Sequence, residues 1–310
     1  MSWTIYEVSF LVGSPVHIGW KRIGNLWQTR PYIPANQILA ALAVRGVELG
    51  IGENAEGIEN PYAARFQWLK KYFRATYFYP MLCEKDGQCK QGKTVYLPAL
   101  SKKGLEWQAG TKQISREEFE YTFLNASAHT SIDYELRSAR EGSLYQIEYI
   151  CPRTRSPACQ KVYFTGYLFI RDDVIAKEDL ARLLEVIYVG GERKYGWGKL
   201  INSEVYKVEK NRDNKFEFFD LKKVEIDTTK EEPVITMDAD QTIFAHVHLK
   251  NGVHEKLKGK VEVLEQRYTE DSGGIKRFGN KIILYPSFMP GSKVKEKIDF
   301  LLKPEGIWEG

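Results

Sequence analysis

The stretch YVGGERKYGWGKL, residues 188–200, sets glycine, positive charge and aromatic rings at a single bend. Upstream, residues 176–189 have a helical pattern: Glu178 and Asp179 suit the positive end of a helix dipole, and Leu180, Leu183, Leu184 and Ile187 share one face. Downstream, residues 200–208 read as a strand. The bend is therefore predicted to join a helix to a strand. Gly190, Gly191, Gly196 and Gly198 allow positive φ and close approach of the backbone to another chain segment. Successive N–H groups there can form an anion-binding concavity, with Arg193, Lys194 and Lys199 adding charge and Tyr195 and Trp197 offering stacking faces. A helix-capping glycine followed by a bulged strand start accounts for the same composition. The order helix, loop, strand reverses that of a Walker loop, and no Gly-Lys-Ser/Thr is present, which argues against nucleotide hydrolysis.

Working outward, residues 3–11 read as a strand, residues 13–34 as a Gly/Pro-punctuated loop, and residues 37–48 as a helix that Asn36 can cap. A second helical pattern over residues 62–76 runs into an aromatic strand at 77–82. Residues 84–131 are polar and read as an irregular insertion. Residues 132–136 and 143–150 then flank a hairpin connection at 138–142, and 161–170 form a further strand. Stripped of insertions, the order is strand, helix, strand, strand, helix, strand. That predicts an α+β fold with a ferredoxin-like, βαββαβ domain over residues 1–210. A polar linker near 207–216 leads to residues 211–310, predicted to be a smaller domain, mainly β or a degenerate ferredoxin-like unit, with strands at 242–249 and 261–266.

With 310 residues, 43% hydrophobic and 28% charged, the chain has the make-up of a globular protein with real cores. Apolar runs such as 38–44 and 164–170 fall far short of the roughly 18 residues of a spanning helix, so no membrane partner is expected. The opening, MSWTIYE, reads as a strand with an acid where a leader would be cationic, and the expected location is cytoplasmic. A net charge of +4 neither requires nor excludes a polyanionic partner. Its distribution says more: between Glu7 and Glu48 there is no acid, while Lys21, Arg22, Arg30 and Arg45 stand among Trp20, Trp27 and Tyr32. The spacings Cys83-x5-Cys89 and Cys151-x7-Cys159 are looser than zinc-ribbon pairs; unpaired thiols are the leading reading, with a four-cysteine metal site or disulfides as the alternative.

The glycine bend, placed between the last helix and last strand of such a domain, resembles the glycine-rich loop of the RAMP superfamily of CRISPR-associated proteins. Three further segments agree in order. GSPVHIG (13–19) resembles the "TPLHIG" turn of type III members, and YIPANQILAAL (32–42) their "IPGSSLxGAL" helix start. IDYELRSAREGSLY (132–145) resembles the hairpin "IDRxTGxAxxGxLY" of backbone-type subunits. The resemblance covers residues 1 to about 208. It implies a noncatalytic RNA-binding subunit of a type III effector complex, with guide RNA, target RNA and other Cas subunits as partners.

Such a role calls for basic and aromatic surface with little base-edge discrimination. The candidates are Trp20, Lys21, Arg22, Trp27 and Arg30 in the first loop, Arg137 and Arg140 at the hairpin, and Gly190, Gly191, Arg193, Lys194, Tyr195, Gly196, Trp197 and Gly198 in the glycine loop. Neither cofactor nor metal is expected. One rival reading is a metal-independent guide-processing endoribonuclease with His17 as general base, weighed against a histidine that satisfies loop backbone. The other is a scaffold that grips only protein. His129, near Asn125, Ser127 and Asp133, is a second base candidate, against a solvated loop histidine. The aspartate with which some relatives cut target RNA has no counterpart, since residues 20–34 contain no acid. His246-Val-His248, on an expected strand, would place both rings on one face where a metal could bridge them, with His254 close by; a metal there is the minor reading.

Overall fold

Trp3–Val12 alternates apolar and polar residues for most of its length and forms β1, the strand on which the main sheet is built. The computed structural model describes residues 2–53, 60–85, 89, 92–212, 215–219, 222–250, 252–268, 271–272, 275–276 and 281–310. After β1 come β2 (Gly19–Ile23), β3 (Leu26–Thr29), helices α1 (Ala35–Leu49) and α2 (Pro61–Tyr72), β4 (Phe73–Ala75) and β5 (Tyr79–Cys83). Next are β6 (Lys93–Ser101), β7 (Gly104–Ala109), β8 (Lys112–Ile114), α3 (Arg116–Phe123) and β9 (Leu124–His129). The strands β10 (Ile132–Asp133), β11 (Ser138–Ala139), β12 (Tyr145–Ile150) and β13 (Tyr163–Arg171) precede α4 (Lys177–Leu184), β14 (Val186–Tyr188) and β15 (Lys199–Lys207). The molecule is α+β and mostly sheet.

A nine-stranded sheet has the order β14, β15, β1, β13, β5, β6, β7, β8, with β4 also paired to β13. Both neighbours of β1 are antiparallel to it. Because side chains alternate, Tyr6, Val8 and Phe10 share a face with Val205 and Asn202 across β15 and with Gly166 and Phe164 across β13. Leu180 and Leu184 of α4 lie beside Tyr6 and Val205, so the helices pack on this face. On the opposite face Tyr167 stacks on Phe218 at 3.9 Å, and the Phe219 N–H donates to the Tyr167 hydroxyl at 2.7 Å. C-terminal residues thus supply the second cover. One buried cluster runs unbroken from Trp3 to Trp308.

Local chemistry redraws several predicted boundaries. α1 begins at Ala35, with Pro34 in extended geometry before it and no side-chain cap, so Asn36 is inside the helix. The expected loop 13–34 contains the β2–β3 hairpin, which turns at Gly24 (φ +57°) and lays Arg22 opposite Trp27. The expected irregular insertion is ordered: Trp107 of β7 stacks on Phe119 of α3 at 3.7 Å, and Phe123 meets Tyr96 edge-on. Its residues 86–88 and 90–91 lie outside the described residues. The last helix stops at Leu184, and Val186–Tyr188 pairs with β15, so the glycine bend joins two strands. β12 pairs with β9 and, in parallel, with β3, while the hairpin partner of β10 is β11. Only Val247–His248 of the expected strand 242–249 pairs in a sheet.

Cys83 and Cys89 form a disulfide, because the turn after β5 brings their Cα atoms to 4.8 Å; Cys151 and Cys159 are free thiols. The unpaired reading therefore holds for one pair and is corrected for the other. Among the described residues, no group of three or more His, Cys, Asp or Glu is placed to hold a metal, and no helix is long and apolar enough to cross a membrane.

Candidate nucleic-acid interface

The glycine loop is clamped to the turn after β1. A Cβ on Gly190 (φ +72°) would stand 2.1 Å from the His17 carbonyl oxygen, and one on Gly198 (φ +83°) 2.0 Å from that of Val189. These approaches are possible only without a side chain. The Gly191 N–H donates to the His17 carbonyl at 2.9 Å and the Gly198 N–H to the Pro15 carbonyl at 2.7 Å. Within the loop the Tyr195 and Gly196 N–H groups donate to the Glu192 and Arg193 carbonyls. Four of the N–H groups in the bend are thus engaged by protein. What the loop projects is its short helical turn, Arg193–Tyr195, with all three side chains exposed.

His17 is 5% exposed, and its Nδ1 lies 2.7 Å from the Glu148 carbonyl of β12. The ring thereby joins the turn after β1 to the β9–β12 ribbon. The Glu148 carboxylate in turn accepts from the Thr29 N–H at 2.9 Å, bringing the end of β3 to the same place. Burial raises the Glu148 carboxyl pKa, against the effect of that hydrogen bond.

These links assemble a continuous strip of rings from segments far apart in sequence. Trp27 meets Tyr145 at 5.8 Å between centroids; Tyr145 stacks on His129, its cross-strand partner, at 5.4 Å. His129 then approaches Tyr195 at 6.2 Å and Trp197 at 6.1 Å, and Trp197 meets Tyr149 edge-on at 5.0 Å. Tyr195 is 68% exposed and Trp27 39%. The His129 Nε2 is buried without a hydrogen-bond partner, so the imidazole serves as a link in the strip, a role that loop composition did not suggest. Tyr145 and Tyr149 were also missed. Their signal was the period-two spacing on β12, which places both on one face.

Cations stand on the same segments as these rings or on adjoining ones. The Arg22 guanidinium lies 5.5 Å from the Trp27 ring and the Lys21 ammonium 4.5 Å from that of Trp20. Arg137 and Arg140 lie in and just after the exposed β10–β11 hairpin, which leaves β9 beyond His129 and also bears Tyr134 at 87% exposure. Lys21, Arg22, Arg137, Arg140, Arg193 and Lys194 make no ion pair among the described residues.

Arg30 differs. Its Nη1 donates to Glu262 Oε1 at 2.7 Å and to the Tyr32 hydroxyl at 3.1 Å, and its side chain is 13% exposed. Glu262 also accepts from Trp20 Nε1 at 2.9 Å and sits 2.5 Å from His246 Nε2. The Tyr77 hydroxyl meets His246 Nδ1 at 2.7 Å. A neutral imidazole protonated on Nε2 satisfies both contacts, donating to the carboxylate and accepting from the phenol. Burial pushes His246 down to about 4, against the pull of Glu262. Burial opposes ionisation of Glu262, but His246 and Arg30 more than offset it and hold the carboxyl at about 2. His248 turns to Ser287 and Tyr285, so the two rings do not share a metal, and exposed His254 stands beside Glu255.

No family model matches the chain, and no curated protein matches it. Among solved structures, a chain of a type III-B Cmr-beta bound to cognate target RNA and AMPPnP aligns with 13% identity over 94% of this chain and 86% of that one, at a TM-score of 0.51. A second, bound to cognate target RNA, gives 14% identity, 93% and 86% coverage and a TM-score of 0.48. A CRISPR protein from Archaeoglobus fulgidus gives 11%, 94% and 90%, at 0.35. The first likeness is one of fold; the other two are too distant to add to it.

Two outcomes follow from this geometry. Gly190→Ala forces both positive φ and a clash with backbone, and should cost at least about 2–3 kcal/mol in denaturant titration, whereas Gly196→Ala, with open space around it, should cost only about 1 kcal/mol. For the buried network, both folded-state pKa values lie below their ordinary ones, so the unfolded chain binds protons more readily. Stability should therefore fall as pH drops from about 6.5 through His246 and then from about 4.5 through Glu262. Glu262→Gln, which leaves Arg30 buried without its counter-charge, should cost about 3–5 kcal/mol and flatten the acid limb measured by thermal melts across pH.

Proposed function

We propose that this chain is a noncatalytic RNA-binding subunit of a type III CRISPR RNA-guided complex. In this reading it holds guide RNA along the ring strip and contacts other Cas subunits through its remaining surface. The observation that carries the proposal is the strip itself: Trp27, Tyr145, His129, Tyr195 and Trp197 in sequence-distant contact, with Arg22 beside Trp27 and Arg193 and Lys194 next to Tyr195, three cations with no ion-pair partner among the described residues. Rings offer sequence-tolerant stacking faces to splayed bases, and unpaired cations track phosphates. The sheet order β15, β1, β13, β4, with α1 and α4 as crossovers, supports a ferredoxin-like domain over residues 1–210, leaving residues 211–310 as the β-rich second unit.

The contact set is Trp20, Lys21, Arg22, Trp27, Arg137, Arg140, Arg193, Lys194, Tyr195 and Trp197. Arg30 acts indirectly, holding the loop through Glu262 and Tyr32. Gly190, Gly191 and Gly198 set the loop's position, and Gly196 ends its helical turn. His17 serves as a backbone tie, with one ring nitrogen engaged and its side chain enclosed. The fold likeness to a chain of a Cmr-beta bound to target RNA supports the same setting.

Filter binding of labelled single-stranded repeat RNA across a salt series tests the proposal. Affinity should fall steeply with salt, and Arg193→Ala with Lys194→Ala should reduce the slope by up to about two. An unchanged slope would remove the glycine loop from the interface, and no RNA binding at any salt would favour a protein-only scaffold. Cleavage of the RNA in EDTA, lost in His17→Ala, would instead establish the processing nuclease.

A further inference from the structure

The edge of the main sheet beside α4 is open. β14 covers only Lys199–Ile201 of β15, and one more bond joins the Asn202 N–H to the Glu185 carbonyl. Beyond that point the ladder of β15 among the described residues is with β1 alone. The Val208 N–H donates inward to the Ile5 carbonyl, so by alternation the main-chain groups of Val205 and Lys207 point away from β1. The register of β15 on β1 jumps between Ser9 and Phe10, which makes Ser203 the extra residue of a bulge.

Next to this edge lies a groove of 470 Å³ walled by Leu180, Ala181 and Leu184 of α4 and floored by Tyr6 and Val205. Asn202 and Ser203 are among its lining residues, and the Asn202 Nδ2 and Ser203 Oγ are buried without hydrogen-bond partners. A strand edge sealed against company would meet solvent or a polar cover. Here unpaired main chain meets an apolar wall.

We propose that β15 and α4 form a docking groove for an extended peptide segment of a partner protein. The segment adds as a strand along Ser203–Lys207, seats one apolar side chain against Leu180, Ala181, Leu184 and Val205, and gives polar partners to Asn202 and Ser203. Charge selects the rest of its chemistry. Of the groove's acids, Glu185 pairs with Arg45, while Glu204 accepts from the Tyr206 hydroxyl and keeps its charge. Lys177 and Lys207, at the ends of α4 and β15 farthest from the Glu185–Asn202 contact, make no ion pair among the described residues, although Lys207 is near enough to help lower the Asp172 carboxyl pKa. An Asp or Glu at one end of the segment complements Lys177. The groove lies outside the ring strip, so the proposal stands independently of RNA binding.

A phage-displayed library of random decapeptides, panned on the full chain, tests this. Enriched peptides should alternate apolar residues and carry an acid at one end. A synthetic copy of the best one should bind about tenfold more weakly to Ala181→Trp, which fills the groove from an exposed helix position, and to Val205→Pro, which removes an outward N–H. Lys177→Glu should weaken it in a salt-dependent way. Thermal melts confirm that each variant folds. No enrichment, or equal binding to all three variants, overturns the proposal. So does sedimentation showing a dimer of the chain that Ala181→Trp dissociates, because the groove would then belong to a second copy.

Discussion

The His17 carbonyl oxygen is the point on which the proposed interface turns. It accepts from Gly191 and occupies the space a Cβ on Gly190 would need, so the glycine loop is seated on the turn after β1. The His17 ring extends the tie to the Glu148 carbonyl on β12. Through this one residue, the turn after β1 becomes the neighbour of two segments each more than a hundred residues further along the chain. The ring strip from Trp27 to Trp197 exists because of that adjacency. Glycine here is a matter of clearance between two main chains, and the cationic turn is carried outward by a loop four of whose N–H groups are engaged by protein.

The second organising interaction is a buried carboxylate. Glu262 gathers a guanidinium, an imidazole and an indole N–H, of which only the guanidinium carries charge at neutral pH. A pair of opposite charges out of water repays its desolvation only when the remaining lone pairs are bonded, as they are here. The network fixes the base of the β2–β3 hairpin against the C-terminal region while Lys21 and Arg22 stay exposed. Division of labour along one short loop follows: Arg30 is structural because an acid reaches it, and its neighbours remain available because none does.

Much of this was legible in the sequence, and the failures have physical causes. The order of β1, α1, β13, α4 and β15 followed from periodicity and glycine placement. The β2–β3 hairpin was missed because its residues are mostly exposed and carry no apolar alternation. Val186–Tyr188 continued an amphipathic helix pattern, but pairing with β15 outweighed local propensity. The ordered insertion was hidden by its polar composition, since Trp107, Phe119 and Phe123 are widely spaced and form a cluster only once folded.

Amino-acid sequence alone determined the α+β class, the acid-free first segment, the glycine-rich bend and the list of basic and aromatic side chains near it, because these depend on local composition and spacing. Tertiary structure decided which of those side chains share a surface, which cation is consumed by Glu262, and that Cys83 and Cys89 are joined. It also decided that the edge of β15 lies bare beside α4. The reason is the same in each case: a contact between residues far apart in the chain depends on how elements pack, and packing leaves no mark in the spacing of either segment by itself.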